Sequence, residues 1–165
     1  MKLSQMLRPK TVVASVIKTD PSLIRSHGFK VALLDLDNTL AEDHVTHPTE
    51  YSREAIQFLK NLGLVCCIVS NAKSKRSADF ADELGIPCVS YANKPSTAGV
   101  FRALSLTGCT SDEAVFFGDQ IFTDIVAANR SGVYSVLVER VTEEELFYIK
   151  LKRPFEKLVR RILRF

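Results

Sequence analysis

Short apolar runs alternate with amphipathic helical patterns from Lys30 to Val138, and this alternation limits the fold more than any other feature of the chain. The runs are rich in β-branched and aromatic residues and lack the apolar–polar alternation of strands that face water on one side. Strands of this kind are buried on both faces, as in a parallel sheet covered by helices. We therefore predict an α/β fold, a three-layer, doubly wound parallel sheet of the Rossmann type.

Five strands and four connecting helices can be placed along the chain. Apolar residues recur at helical spacing in each predicted helix, and Gly85, Gly108 and Gly132 follow three of them as stop signals. Two segments before the sheet, Val12–Ile17 and Pro21–Arg25, are interpreted as one or two short helical turns. The predicted strands are Val31–Asp35, Leu64–Val69, Pro87–Ser90, Val115–Phe117 and Tyr134–Val138, and the predicted helices are Ser52–Asn61, Ser77–Leu84, Thr97–Leu106 and Thr123–Arg130.

The composition is typical of one soluble globular domain, with 46% hydrophobic and 25% charged residues among 165. No apolar stretch approaches the ~20 residues that a membrane-spanning helix needs. The first ten residues lack the apolar core of a secretory signal. We therefore expect a cytoplasmic protein whose four cysteines are buried structural thiols.

Positive charge is concentrated at the carboxyl end. Residues 150–165 contain seven basic residues and one acidic residue, whereas the whole chain has a net charge of +3. The apolar residues of this segment share one helical face. We predict one domain over residues 1–149 and a basic amphipathic helix over 150–165. Two interpretations of that helix stay open: its apolar face packs on the domain, or it lies on an anionic membrane surface as a peripheral anchor.

Polar and charged side chains follow four of the predicted strands. In open α/β sheets, ligands bind at the carboxyl ends of the strands. Carboxylates crowded into such a crevice require a cation, and an oxygen-rich site suits Mg²⁺. A nucleophile, charge-neutralising groups and a metal are what phosphoryl transfer needs. The residues are, in chain order, Asp35 and Asp37, Ser70 and Asn71, Lys94, and Asp119 with Asp124.

These residues resemble a known set of motifs. The run DLDNTL at 35–40, then Ser70-Asn71, then Lys94, then GDQIFTD at 118–124, is similar in order and spacing to the four motifs of the haloacid dehalogenase (HAD) superfamily of phosphohydrolases. The leader before the first strand and the basic end resemble the YqeG-like group of subclass IIIA, to which the mitochondrial phosphatidylglycerophosphate phosphatases are also similar. The resemblance covers nearly the whole chain and implies an active phosphatase.

The resemblance implies a catalytic role for three residues. Asp35 would be the nucleophile and would form an aspartyl-phosphate. Asp37 would be the general acid and base, and we expect neighbouring carboxylates to help its side chain hold a proton near neutral pH. Lys94 would neutralise charge that grows on the transferring group.

The resemblance also implies the ligands of metal and substrate. Mg²⁺ would be bound by Asp35, Asp119 and the Asp37 backbone carbonyl, with Asp124 supporting these ligands directly, through water or through Lys94. The substrate would be bound by Ser70 and Asn71, together with Asn38 and Thr39.

The spacing leaves no room for a cap domain, because about a dozen residues separate the first motif from the next helix. We therefore expect an essentially capless, open site. The favoured function is Mg²⁺-dependent hydrolysis of a phosphomonoester, with the lipid phosphatidylglycerophosphate as the substrate that the resemblance favours. One alternative is a phosphatase for a soluble sugar phosphate or nucleotide.

A second alternative is a non-catalytic nucleic-acid or protein interaction module. Only the basic tail supports it. It lacks the exposed aromatic residues, interleaved with basic ones, that are typical of single-strand binders, and it lacks an RNA-binding signature, so we expect no nucleic-acid partner. His44 and His47 follow the first motif and are interpreted as ordinary loop residues, with substrate contact as the alternative.

Overall fold

Six parallel strands form one sheet in the computed structural model, which describes residues 2–72, 75–139 and 159–162. The strand order is β1-β6-β5-β2-β3-β4, and each adjacent pair is parallel. The strands are β1 (Thr11–Val13), β2 (Val31–Leu34), β3 (Val65–Val69), β4 (Cys88–Val89), β5 (Ala114–Gly118) and β6 (Tyr134–Val138). The α-helices are α1 (Leu3–Leu7), α2 (Pro21–His27), α3 (Glu50–Asn61), α4 (Arg76–Leu84), α5 (Ala98–Thr107) and α6 (Val126–Arg130).

Helices cover both faces of the sheet and make three layers. On one face, Ile56 of α3 and Phe80 of α4 belong to the same buried cluster as Leu34 of β2. On the other face, Leu33 of β2 is buried with residues of α5 and α6. Successive residues of a strand point to opposite faces, so β2 contributes to both cores and has no polar alternation. The predicted three-layer parallel α/β fold is confirmed.

The segment before the sheet differs from the prediction. Val12 and Val13, the first residues of the predicted turn Val12–Ile17, instead belong to β1, which pairs in parallel with β6. At the end of that predicted turn, Val16–Lys18 forms a 3₁₀ turn. Val16 is buried, and its amide donates to the Tyr51 hydroxyl at 3.2 Å. Pairing with β6, which lies far along the chain, provides hydrogen bonds for the backbone N–H and C=O groups that a local helix would otherwise pair internally. The helix predicted at Pro21–Arg25 is confirmed and extends to His27.

The predicted helix at 150–165 lies mostly outside the described residues. Residues 159–162 are described and are helical. Val159 is partly buried against Ile121, Ile125 and Leu137, whereas Ile162 is 67% exposed. This one turn therefore packs on the domain through one residue and presents another to solvent. Within the described residues, no helix is both long and apolar enough to cross a membrane.

Candidate active site

The carboxyl ends of four strands bring the predicted site residues into one crevice. The chain leaves the central strand β2 toward β3 and β4 on one side, and later adds β5 and β6 on the other side. Ligand sites of open α/β sheets form where the strand order reverses in this way. Asp35 follows β2, Ser70 follows β3 and Asp119 follows β5, while Lys94 lies in the loop after β4. All four side chains are buried.

Asp35, Asp119 and Asp124 form an acidic cluster at the centre of this crevice. Each offers one carboxylate oxygen, and the three oxygens lie within 4.8 Å of one another. The Lys94 ammonium donates to Asp35 Oδ1 at 2.5 Å and to Asp124 Oδ1 at 2.8 Å. One ammonium against three ionised carboxylates leaves two negative charges away from water, where charges must be paired. A divalent cation with a preference for oxygen ligands would balance them, so these residues fit a metal site.

Burial and neighbouring charges act in opposite directions on Asp35. Burial raises the pKa of Asp35, Lys94 lowers it, and Asp124 and Asp37 raise it again, with a net value of about 7. Burial lowers the pKa of Lys94, but the charges of Asp124 and Asp35 outweigh this effect and raise it above the ordinary value. Without a metal, Asp35 therefore holds a proton below neutral pH while Lys94 stays charged.

The Lys94 ammonium uses all of its hydrogen-bonding capacity inside the cluster. Besides the two carboxylates, it donates to the Val69 carbonyl at 2.7 Å, and an ammonium has three N–H donors. The Asn71 side chain fixes the Lys94 backbone, donating to its carbonyl at 3.0 Å and accepting from its amide at 2.7 Å. In this arrangement Asn71 holds Lys94 in place, and Lys94 neutralises and orients the carboxylates.

Close packing between Gly118 and Asp124 fixes the second half of the cluster. The Gln120 amide donates to Asp124 Oδ2 at 3.0 Å. A Cβ atom on Gly118 would lie 2.6 Å from Asp124 Cγ, a distance that real Cβ atoms do not reach. Only glycine leaves room for this carboxylate, a requirement that the sequence analysis missed.

Asp37 lies at the mouth of the crevice and contacts a residue that the sequence did not indicate. Its side chain is 26% exposed, and Arg76, the first residue of α4, donates through Nη2 to Asp37 Oδ1. Arg76 Nη1 also donates to the Val45 carbonyl at 2.8 Å. Arg76 and Asp37 are 39 positions apart, and no pattern in the sequence links them.

Three further residues predicted to bind substrate, Ser70, Asn38 and Thr39, are buried. The Ser70 hydroxyl oxygen accepts from the Ala72 amide at 3.1 Å. Asn38 has a left-handed backbone with φ of 59°. Within the described part of the chain, Asn38 Oδ1 and Thr39 Oγ1 are buried and have no hydrogen-bond partner. Both atoms have hydrogen-bonding capacity that the described residues do not use.

The loop between β2 and α3 carries no inserted domain. Its one regular feature is a bridge between Asp37 and Ala41. His47 Nδ1 lies 2.6 Å from Glu83 Oε1 of α4 in an exposed pair. His44 has a left-handed backbone in the same loop. No cap domain is inserted at this position, as the short spacing predicts.

Comparison with known proteins identifies the family. Residues 1–143 match the family described as mitochondrial PGP phosphatase. The chain belongs to this family. It is a phosphatase of the HAD type, as its motifs predict.

Two relatives and one solved structure illustrate the similarity. The chain is 29% identical over 157 residues to "Probable phosphatase YqeG" of Bacillus subtilis (strain 168), covering 95% of this chain and 91% of that protein. It is 30% identical to "Phosphatidylglycerophosphate phosphatase 1, chloroplastic/mitochondrial" of Arabidopsis thaliana, covering 99% of this chain but 50% of the plant protein. The crystal structure of 3-deoxy-D-manno-octulosonate 8-phosphate phosphatase from Yersinia pestis aligns with a TM-score of 0.53 at 15% identity, covering 92% of this chain and 88% of that one. That structural likeness bears on the fold.

Proposed function

We propose that this phosphatase hydrolyses phosphatidylglycerophosphate with Mg²⁺ and through an aspartyl-phosphate. The observation that supports the chemistry best is the buried cluster of Asp35, Asp119 and Asp124 around the Lys94 ammonium. The family description and the name of the Arabidopsis relative support the substrate. The loop between β2 and α3 holds no inserted domain, which also favours a substrate carried at a surface.

The proposed reaction has two steps. In the first, an Asp35 carboxylate oxygen attacks phosphorus, the bond from phosphorus to the substrate oxygen breaks, and Asp37 gives a proton to the leaving alkoxide. In the second, Asp37 takes a proton from water, the water oxygen attacks phosphorus, and the bond to Asp35 breaks to release phosphate. Asp37 returns to its protonated form, so the cycle balances.

Other residues hold the reacting groups. Asp35, Asp119 and Asp124 would hold Mg²⁺ with the Asp37 carbonyl, and the ion supplies positive charge to the phosphate oxygens. Ser70 would donate its hydroxyl to a phosphate oxygen, because its oxygen already accepts from Ala72. Lys94, fixed by Asn71, would keep the Asp35 carboxylate oriented for attack.

Phosphate release from a matched set of substrates tests this function. The set is phosphatidylglycerophosphate in mixed micelles, sugar phosphates and nucleotides, each measured with Mg²⁺ and with EDTA. We expect release from phosphatidylglycerophosphate with Mg²⁺ only, and none from Asp35→Asn. A higher kcat/KM for a soluble sugar phosphate or nucleotide would contradict the proposed substrate. Release that persists in EDTA would contradict the metal dependence.

We further propose that residues 150–165 contact an anionic membrane surface. Arg161 and Ile162 are exposed while Val159 packs on the domain, so packing and surface contact can occur together. Flotation with vesicles of anionic or of neutral lipid tests this proposal. Reversing two charges, Arg160→Glu with Arg161→Glu, is expected to abolish flotation with anionic vesicles. Unchanged flotation of that variant would refute the contact.

A further inference from the structure

Arg76 has hydrogen-bonding capacity at the mouth of the site that the inner cluster lacks. A guanidinium carries five N–H donors, and its described contacts, with Asp37 and the Val45 carbonyl, use two nitrogens. Lys94, in contrast, has all three donors engaged and is 2% exposed. The Arg76 side chain is 16% exposed, so part of it is in contact with solvent.

The position of Arg76 relative to Asp37 indicates which part of a substrate it faces. A general acid gives its proton to the leaving oxygen and must therefore lie beside the leaving group. Arg76 contacts Asp37 directly, so it lies on the leaving-group side of the crevice. In phosphatidylglycerophosphate the leaving group carries a second phosphate, the diester that links it to the lipid.

Charge at the mouth favours the same interpretation. Asp37 carries a proton when substrate binds in the proposed reaction, so the Arg76 guanidinium beside it keeps its positive charge, whereas the buried cluster with a divalent ion would be neutral. Arg76 therefore offers a positive charge to a further anion of the substrate. Arginine binds phosphate with two parallel hydrogen bonds, which makes it suited to this task.

We propose that Arg76 is a specificity-determining residue that binds a second anionic group on the leaving-group side of the substrate. It also positions Asp37. This inference rests on the proposed function, because it takes Asp37 as the acid and the diester of phosphatidylglycerophosphate as the second anion.

Two soluble probes isolate the contribution of the second anion. One is glycerol 3-phosphate, and the other is the deacylated headgroup of phosphatidylglycerophosphate, which presents the same reacting monoester together with a phosphodiester. Neither probe has acyl chains, so membrane contact does not enter. The quantity measured is the ratio of kcat/KM for the headgroup to kcat/KM for glycerol 3-phosphate.

In the wild type, kcat/KM is expected to be about 10- to 100-fold higher for the headgroup than for glycerol 3-phosphate, which is the effect of one charged hydrogen bond. Arg76→Ala is expected to bring the ratio close to one through a higher KM for the headgroup, beyond any loss of kcat common to both probes. Arg76→Lys keeps the charge without the planar fork and is expected to give an intermediate ratio. Lys75→Ala is the matched control, because Lys75 is the neighbouring cation, is 86% exposed and pairs with Asp79. It should leave the ratio unchanged.

Each outcome separates the two proposals. Equal kcat/KM for both probes in the wild type, or equal losses on both in Arg76→Ala, would overturn the role of Arg76 in binding while leaving the proposed function intact. A wild type that releases no phosphate from phosphatidylglycerophosphate would overturn both. Thermal melting of each variant identifies any that fails to fold, and Arg76→Lys then serves as the test.

Discussion

Replacing Lys94 with methionine should destabilise the metal-free protein strongly, because it leaves three buried carboxylates with no ammonium. The Lys94 side chain is 2% exposed, and those of Asp35 and Asp124 are 8% and 1% exposed. Removing one partner of a buried ion pair costs about 3–5 kcal/mol. For a chain of this size each kcal/mol lowers the melting temperature by about 2–4 °C, so the expected fall is roughly 6–20 °C.

Thermal unfolding followed by circular dichroism, in EDTA at pH 8, measures this loss. Lys75→Met is the control, since an exposed pair contributes about 0–1 kcal/mol. The loss in Lys94→Met should shrink at pH 5, where the carboxylates take up protons, and Mg²⁺ should raise the melting temperature of the variant more than that of the wild type. If Lys94→Met melts with the wild type in EDTA at pH 8, the ammonium does not balance buried charge and our electrostatic reasoning is refuted.

Three further perturbations test the cluster. The raised pKa of Asp35 contributes stability to the metal-free protein that is fully present below pH 3.8 and is lost as the pH rises through about 7. Calorimetry in buffers of different ionisation enthalpy should therefore show about one proton released per Mg²⁺ bound at pH 6 and almost none at pH 8.5. Equal proton release at both pH values would contradict the raised pKa. Gly118→Ala should displace Asp124, cost about 1–3 kcal/mol in urea unfolding and lower kcat, whereas full activity would show that the strand can yield. Asn71→Ala removes both hydrogen bonds to the Lys94 backbone and should lower kcat with little effect on KM; a change in KM alone would instead indicate that Asn71 contacts substrate.

The sheet could be predicted because its strands are buried on both faces, which gives continuous apolar runs such as Val31–Leu34. The edge strand Thr11–Val13 could not. It has only three residues, and its partner β6 lies more than 120 positions later, so no local pattern distinguishes it from a helical turn. The helix predicted at Thr123–Arg130 is likewise an α-helix only from Val126, after a π-helical turn over Ile121–Ile125 that places Asp124.

The candidate site was predictable to the extent that its residues follow strands. Each strand end can be located from the sequence, and parallel strands bring their carboxyl ends to one edge. The contacts among the side chains depend on distances that the sequence does not contain. The pair between Asp37 and Arg76, the double hydrogen bond from Asn71 to the Lys94 backbone and the exclusion of a side chain at Gly118 all belong to this group.

The most direct test of the central claim is to trap the phosphorylated enzyme. Wild type and Asp37→Asn are mixed with ³²P-labelled phosphatidylglycerophosphate and Mg²⁺, quenched in acid within milliseconds, and mapped by peptide mass spectrometry. We predict an acid-stable, hydroxylamine-sensitive label on Asp35 that requires Mg²⁺ and is absent from Asp119→Asn. A label on another residue, or turnover by the wild type without any labelled enzyme, would contradict a nucleophilic Asp35 in a metal-dependent site.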